Sequence, residues 1–335
     1  MKKMTGIVAL GLAFVLLISL APVSAGPALF TGKDKNGVEF KPFIFMPVAK
    51  YMPPASMGIP QVEGHHQYFM TNNTGKTQKF TAEVEYCGPI SREYWYIIQF
   101  CFSDACYINT GTTGSEIKAG ADEKMTFQFA PPNNSVDAKY GTFATGKVKL
   151  YPADDKSITD ELYLAAVHIP YTQITLPIDS ADMKLEKCLT WDPMNRDKTK
   201  KYPLTESVKK LDQPATIVNS RTYIPLRALA EEMYSEVGWD SGSRTASFTI
   251  GDSSAYYKMD LQIDNPVATL TLKTCGGKIL TKKVTMPAPA IIKNGRTIVP
   301  VRSLGETLMG GEITWDADTR TVMLYLPPRL HETEE

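Results

Sequence analysis

The chain has 335 residues, with 36 basic and 36 acidic side chains, 43% apolar residues, five cysteines and four histidines. This length predicts two domains, since a single core rarely grows beyond about 250–300 residues. The balanced charge excludes a generally basic nucleic-acid-binding protein, and the apolar fraction is that of a folded chain rather than a disordered one. Four histidines also leave little room for a metal centre built from several of them.

The first segment has the pattern of a secretory signal peptide. Lys2 and Lys3 precede an apolar run that ends at Leu20, and small residues up to Ala25 follow. We therefore predict that residues 1–25 are a signal peptide and that the protein is extracellular or at the cell surface of a bacterium. An uncleaved membrane anchor is the alternative, although the run is short for a span. No other run approaches about 18 apolar residues, so we expect no membrane span in the mature chain.

Residues 26–178 show short alternating or aromatic-rich stretches separated by turn residues, and no long helical stripe. Two examples are 77–86 and 124–129, with clusters of Asn, Thr, Gly and Pro between such stretches. Strands at near-regular spacing with these turns predict an immunoglobulin-like β-sandwich.

The five cysteines are disulfide candidates if the chain is exported to an oxidising compartment. Cys101 and Cys106 flank a short polar tip, and a tight hairpin would bring their sulfurs together. Cys188 and Cys275 are the only cysteines of the second half and are candidates to pair with each other. Cys87 is then left over, either buried or able to exchange with the first pair.

An internal repeat organises the second half, with a spacing of 75 to 76 residues between matching positions. Asn-Ser or Asn-Gly, then Arg-Thr and Pro-x-Arg, lead to a Trp-Asp pair and a further Arg. The matching residues are Arg221, Pro225, Arg227, Trp239, Asp240 and Arg244 in the first copy, and Arg296, Pro300, Arg302, Trp315, Asp316 and Arg320 in the second. Such a match indicates one structural unit that occurs twice, at about 212–250 and 287–326.

Each copy predicts a hairpin, one amphipathic helix and a second hairpin. The turn signal is strongest at Asn294-Gly295, and each proline stands where a helix begins. Apolar residues then recur at i, i+3, i+4 and i+7, starting from Leu226 and from Val301. A helix with such a stripe must bury it on the neighbouring sheet. The overall fold class is therefore mainly β, with an α+β second domain.

This repeated pattern resembles the copper amine oxidase N-terminal-like domain, also called the stalk domain, over about residues 183–327. The resemblance implies an antiparallel sheet wrapped around a helix, found in secreted and cell-surface bacterial proteins, with no active site of its own. Copper amine oxidases need an Asn-Tyr-acid segment for their quinone and three histidines for copper. The chain has no Asn-Tyr pair followed by an acid. We therefore expect no amine oxidase activity and no cofactor, and a polar tail at 328–335.

The repeated arginines and tryptophans allow two interpretations each. Arg227 and Arg302 either form an anion site near the helix starts or pair with the aspartate of their own repeat or with backbone carbonyls, and the repetition favours the pairing. Trp239 and Trp315 are either core residues or sugar-stacking platforms, and the core is favoured.

No hydrolase elbow, zinc-protease motif, phosphate loop or Cys-x-x-Cys is present. We predict a non-catalytic structural or binding protein of a bacterial envelope, whose partner is an envelope component or another surface protein. One alternative is an extracellular copper-binding protein that uses His65 and His66 with nearby methionines. Another is a secreted enzyme whose site is not visible as a linear motif.

Overall fold

The computed structural model describes residues 27–33, 37–49, 67–87, 97–130, 140–189 and 204–326. The predicted signal peptide, His65, His66 and the predicted polar tail lie outside these ranges. Strands dominate, which confirms the mainly β prediction. Within the described ranges, no helix is long and apolar enough to cross a membrane.

The described residues of the first half form ten strands in two five-stranded sheets. They are β1 Phe30–Thr31, β2 Phe43–Val48, β3 Gln67–Thr71, β4 Phe80–Cys87, β5 Ile97–Cys101, β6 Cys106–Ile108, β7 Thr110–Thr112, β8 Asp122–Ala130, β9 Phe143–Pro152 and β10 Asp160–His168. One sheet has the order β1-β3-β8-β5-β6 and the other β2-β10-β9-β4-β7. Both contribute to one apolar core, with Phe100 and Phe127 from the first sheet and Phe80 and Leu150 from the second. The two sheets thus form a sandwich; its immunoglobulin-like topology stays a prediction.

Strands β2 and β10 are parallel to each other and are buried along their length. Ile44 and Met46 point into the sandwich core, whereas Phe43 and Phe45 belong to a second core formed with the second half. A strand buried on both faces reads as a continuous apolar run instead of an alternating one, which is the case for Phe43–Val48. The two halves therefore share a core across β2 and β10.

The second half contains two copies of a unit made of seven strands and one helix. The first copy is β11 Tyr171–Pro177, β12 Asp182–Cys188, β13 Thr205–Lys210, β14 Thr216–Val218, β15 Arg221–Pro225, α1 Leu226–Glu232, β16 Glu236–Asp240 and β17 Thr245–Gly251. The second copy is β18 Tyr256–Gln262, β19 Val267–Lys273, β20 Ile279–Thr285, β21 Ile291–Lys293, β22 Arg296–Pro300, a π-helix Ser303–Leu308, β23 Glu312–Asp316 and β24 Thr321–Leu326.

The two units exchange their last hairpins. Strands β16 and β17 of the first unit join the sheet of the second, in the order β16-β17-β18-β19-β20. Strands β23 and β24 of the second unit join the sheet of the first, in the order β13-β12-β11-β24-β23. Between these sheets, β15 pairs antiparallel with β22, centred on Ile224 opposite Val299, which are equivalent positions of the two repeats. The units are thus related by a pseudo-two-fold axis through this pair.

Each unit is larger than the repeat that the sequence motif marks at 212–250 and 287–326. Three further strands precede it in both copies, β11 to β13 and β18 to β20. The spacing between equivalent strands is not constant, because β18 starts 85 residues after β11 but β21 starts only 75 residues after β14. A search for matches at one fixed spacing therefore does not detect these three strands. These strands also carry only alternation, without the Arg-Thr or Trp-Asp residues that make the motif visible. The predicted domain boundaries themselves stay a prediction.

The two predicted helices differ in type. In the first unit Leu226–Glu232 is α-helical, whereas in the second Ser303–Leu308 is a π-helix. In the first copy Trp239 stands 14 positions after Pro225, and in the second copy Trp315 stands 15 positions after Pro300. A π-turn accommodates one extra residue in a helix without changing either end. The insertion therefore keeps both tryptophans at equivalent places.

Candidate functional site

The Trp-Asp aspartates shape the exchanged hairpins. The Asp240 carboxylate accepts hydrogen bonds from the hydroxyl of Ser243 and, at 2.9 Å, from the backbone N–H of Gly242. Asp316 accepts hydrogen bonds from the backbone N–H groups of Asp318 and Thr319. Hydrogen bonds from the Ser243 and Thr319 hydroxyl groups, together with those from the backbone N–H groups, lower the pKa of both carboxyl groups. An aspartate that bonds the backbone two residues on is a turn-forming device, so both serve the fold.

The last arginine of each motif links its exchanged hairpin to the other unit through an ion pair. Arg244 and Arg320 both have left-handed backbone, with φ of 52° and 49°. Arg244 pairs with Asp264 at 3.4 Å, and Arg320 pairs with Asp179 at 3.5 Å. Their carbonyls also accept hydrogen bonds, both of 3.0 Å, from the N–H groups of residues 263 and 178. Both contacts cross between the exchanged hairpin and the opposite unit.

The favoured pairing of Arg227 and Arg302 with the aspartate of their own repeat is wrong. Asp240 and Asp316 are engaged in their own turns, and both arginines are exposed. Among the described acidic side chains, Arg302 approaches Glu306 alone, at 4.0 Å. Ion pairs with aspartates are formed instead by Arg244 and Arg320, the last arginines of the two motifs, and by Arg296 of the second motif.

Arg227 and Arg302 line two surface grooves, one on each side of the pseudo-two-fold axis. Groove 1 has a volume of about 420 Å³ and contains Pro225, Arg227 and Trp239 of the first unit beside Ile292 and Arg296 of the second. Groove 2 has a volume of about 700 Å³ and reverses these contributions. It contains Pro300, Arg302 and Trp315 of the second unit beside Ile217 and Arg221 of the first.

The two grooves match residue by residue. Eleven lining positions of groove 1 have an equivalent in groove 2, 75 or 76 residues away. The pairs are Asp212 and Pro287, Pro225 and Pro300, Leu226 and Val301, Arg227 and Arg302, Val237 and Ile313, Trp239 and Trp315, Ala246 and Val322, Ile292 and Ile217, Gly295 and Ser220, Arg296 and Arg221, and Thr297 and Thr222. Each groove therefore has one tryptophan and two arginines, and one of these arginines comes from the other unit.

Both tryptophans are exposed, so the favoured assignment to the core is wrong. Trp239 is 50% exposed and Trp315 is 42% exposed. They lie on β16 and β23, which are edge strands of their sheets and have no neighbour beyond them. A large apolar ring held half in solvent at a groove is typical of a binding surface.

The grooves differ in charge and in one buried hydroxyl. In groove 1, Arg296 forms an ion pair with Asp212, and the equivalent position in groove 2 is Pro287. None of the described residues that line groove 2 is acidic. Groove 2 also includes Ser303, which is 1% exposed and whose Oγ has no hydrogen-bond partner among the residues described. A buried polar atom without a partner is costly in a folded protein and is seldom left so without a reason.

A separate cluster of charges lies where the halves meet. Glu161 accepts hydrogen bonds from Lys147 at 2.9 Å and from the Tyr163 hydroxyl at 2.8 Å, and Lys278 of the second half reaches the same tyrosine at 2.8 Å. Burial acts to raise the pKa of Glu161, but these hydrogen bonds and the lysine charges lower it to about 2. A general acid needs a raised pKa instead. The cluster therefore serves to link the two halves of the chain and has no feature of an acid catalyst.

One of the two disulfides that the sequence suggests is present, and the other is not. Cys101 and Cys106 lie opposite each other on β5 and β6 and form a disulfide. The suggested pair of Cys188 and Cys275 is wrong: Cys188 is a buried thiol at the end of β12, whereas Cys275 is disulfide-bonded. Cys275 lies in the turn after β19, with its Sγ 3.5 Å from Oγ1 of Thr145 on β9 of the first half.

In the described part of the chain no three His, Cys, Asp or Glu side chains are grouped so that they could hold a metal ion. The copper-site candidates His65 and His66 fall outside that part, so the copper alternative stays a prediction.

Comparison with known families agrees with the repeat. Residues 172–324 match the copper amine oxidase N-terminal domain. The match consists of two overlapping segments, 172–248 and 204–324, and the first begins within β11. It concerns the N-terminal domain of that family and no catalytic domain, and the sandwich half lies outside it. No curated protein matches the chain.

Among solved structures, the chain is similar to the secreted serine protease VesC from Vibrio cholerae, with 11% identity and a TM-score of 0.23. The similarity covers 85% of this chain and 50% of the protease chain, so it spans half the length of that structure.

Proposed function

We propose that the protein is a non-catalytic binding protein of the bacterial cell surface, and that grooves 1 and 2 are its ligand sites. The observation that carries this proposal is the duplicated groove, in which a half-exposed tryptophan stands beside two arginines. A structural role alone does not need a large aromatic ring in solvent at both equivalent places. The surface location rests on the signal-peptide pattern of residues 1–25.

The sandwich and the shared core give the grooves a rigid base. Tyr257 of β18 stacks on Phe45 of β2, with ring centroids 4.1 Å apart and planes 2° apart. Lys282 of β20 donates a hydrogen bond of 2.8 Å to the carbonyl of Phe43. A site on strands that are locked by packing holds its side chains in place before the ligand arrives.

The proposal is tested by retention of the purified protein on bacterial cell-wall polysaccharide and on peptidoglycan. The double variant Trp239→Ala/Trp315→Ala removes the ring from both grooves and is expected to lose most of the retention. The matched control is Val208→Ala/Ile279→Ala, which truncates two exposed apolar side chains on the opposite edge strands of the same two sheets. Retention of the tryptophan variant at the level of this control, or no retention of the unaltered protein on either material, overturns the proposal.

A further inference from the structure

We infer that groove 2 binds a carboxylate-bearing sugar of an acidic polysaccharide, whereas groove 1 binds the same chain more weakly. This inference rests on the proposed function and names the ligand class of those sites. It starts from the differences between two otherwise equivalent grooves, because the shared residues explain what both bind and the differing ones explain what each prefers.

Groove 2 has the charge that an anionic ligand needs. Arg221 and Arg302 both line it, both are exposed, and no acidic side chain stands among its described lining residues. Glu306 comes no closer to Arg302 than 4.0 Å, which is beyond hydrogen-bond distance. A guanidinium group binds a carboxylate through two parallel N–H groups, which is the strongest form of charge-assisted hydrogen bond in proteins.

Groove 1 has less positive charge to offer, because Asp212 already pairs with one of its two arginines and leaves Arg227 alone to meet an anion. Arg296, the equivalent of Arg221, is held in an ion pair with Asp212. The same carboxylate repels an acidic ligand. Groove 2 has Pro287 at that position, which brings no charge. The two grooves thus offer the same aromatic ring with different affinity for an anion.

The buried hydroxyl of groove 2 points to a ligand with hydrogen-bonding groups. Ser303 Oγ has no partner in the described structure although the side chain is 1% exposed. The equivalent position in the first unit is Ala228, which has no polar atom. A sugar carries both donors and acceptors that can complete such a hydroxyl, so the serine adds a polar contact that only groove 2 offers.

The tryptophan favours a sugar ring over a linear acidic peptide. Trp315 is half-exposed, with the apolar side chains of Ile217 and Ile313 also lining the groove. A flat indole face fits the flat apolar face of a pyranose, and hydrogen-bonding groups at the rim fix its orientation. The groove volume of about 700 Å³ lies in the range of sites that hold a ligand of a few rings.

The test uses tetragalacturonic acid and its full methyl ester, which has the same rings without the charge, in calorimetric titrations of the full-length protein. We expect the acid to bind at least about tenfold more tightly than the ester, as a charge-assisted hydrogen bond predicts. The variants Arg302→Ala and Ser303→Ala are each expected to weaken binding of the acid, whereas Lys283→Ala, which removes an exposed charge on β20 outside both grooves, leaves it unchanged. Asp212→Ala is expected to strengthen acid binding at groove 1.

Thermal unfolding of each variant separates a binding role from a structural one. Ser303→Ala removes a costly hydroxyl without a partner, so the melting temperature is expected to stay the same or rise while the affinity falls. Equal affinity for acid and ester, or tighter binding of polyglutamate or of a polyglycerol phosphate than of the acid, overturns the inference. If the acid does not bind while retention on cell-wall material still depends on the tryptophans, the inference fails and the proposed function stands. Loss of that dependence removes both.

Discussion

Replacement of Tyr257 by phenylalanine tests the core that the two halves share. The Tyr257 side chain is fully buried, and its hydroxyl donates a hydrogen bond of 2.9 Å to the carbonyl of Leu308 at the end of the π-helix. Its ring stacks on Phe45 and meets Phe43 edge-on at 6.3 Å. One side chain thus joins β18, the π-helix and β2 of the sandwich.

The Tyr257→Phe variant keeps the ring and removes the hydroxyl alone. The carbonyl of Leu308 then remains buried without its donor, because carbonyls at a helix end have no partner within the helix. Leaving a buried acceptor unsatisfied costs about 1–3 kcal/mol of unfolding free energy. With a urea dependence of roughly 3 kcal/mol per molar, the midpoint falls by roughly 0.3–1 M.

The assay is urea unfolding followed by far-ultraviolet circular dichroism and by tryptophan fluorescence. The matched control is Tyr256→Phe, the neighbouring residue on the other face of β18, which is only partly buried. We expect that control to lie within about 0.5 kcal/mol of the unaltered protein. Equal midpoints for the two variants would falsify the hydrogen bond, and two separate unfolding transitions would contradict the shared core.

Two further predictions concern charge and covalent links. Because the folded pKa of Glu161 is about 2 against an ordinary 4.5, its contribution to stability is present above pH 4.5 and is lost as the pH falls towards 2. A Glu161→Gln variant is therefore expected to be less stable at pH 7 but to lose less stability over that acid range in thermal melts. Peptide mapping of the protein unfolded without reductant is expected to find Cys188 alkylated and Cys275 in a disulfide. Alkylation of Cys275 under these conditions would contradict its disulfide.

The sequence predicts the local structure of the repeated unit, but it does not predict with which sheet the last hairpin of that unit pairs. Asn294-Gly295 does form the predicted turn, with φ of 50° and 72°, and Pro225 does precede α1. These features depend on neighbouring residues, so short-range rules reach them. Which sheet the hairpin β16–β17 joins depends on contacts between distant segments, and no local pattern encodes it.

The errors at the site have the same origin. Trp239 and Trp315 were assigned to the core because large aromatic rings are usually buried, and only the position of β16 and β23 at sheet edges exposes them. Arg221 and Arg296 follow the turn of the motif, and nothing in the motif shows that each one lines the groove of the other unit. Repetition at equal spacing was the one available signal, since it marks residues that share a role, although it does not say which role.

The exchanged hairpins have the arrangement found in a domain-swapped homodimer. The first unit, 171–251, ends in the hairpin β16–β17, whose strand β17 pairs with β18 of the second unit. Its own strand β11 pairs with β24, which belongs to the last hairpin of the second unit. Two separate copies of one unit would complete each other in this way, as a homodimer with one groove on each side of its axis. The present chain has the form of that dimer after duplication and fusion. Because both copies lie in one polypeptide, the two grooves can differ, as they do at Asp212 and Pro287, whereas the two grooves of a homodimer are built from the same residues.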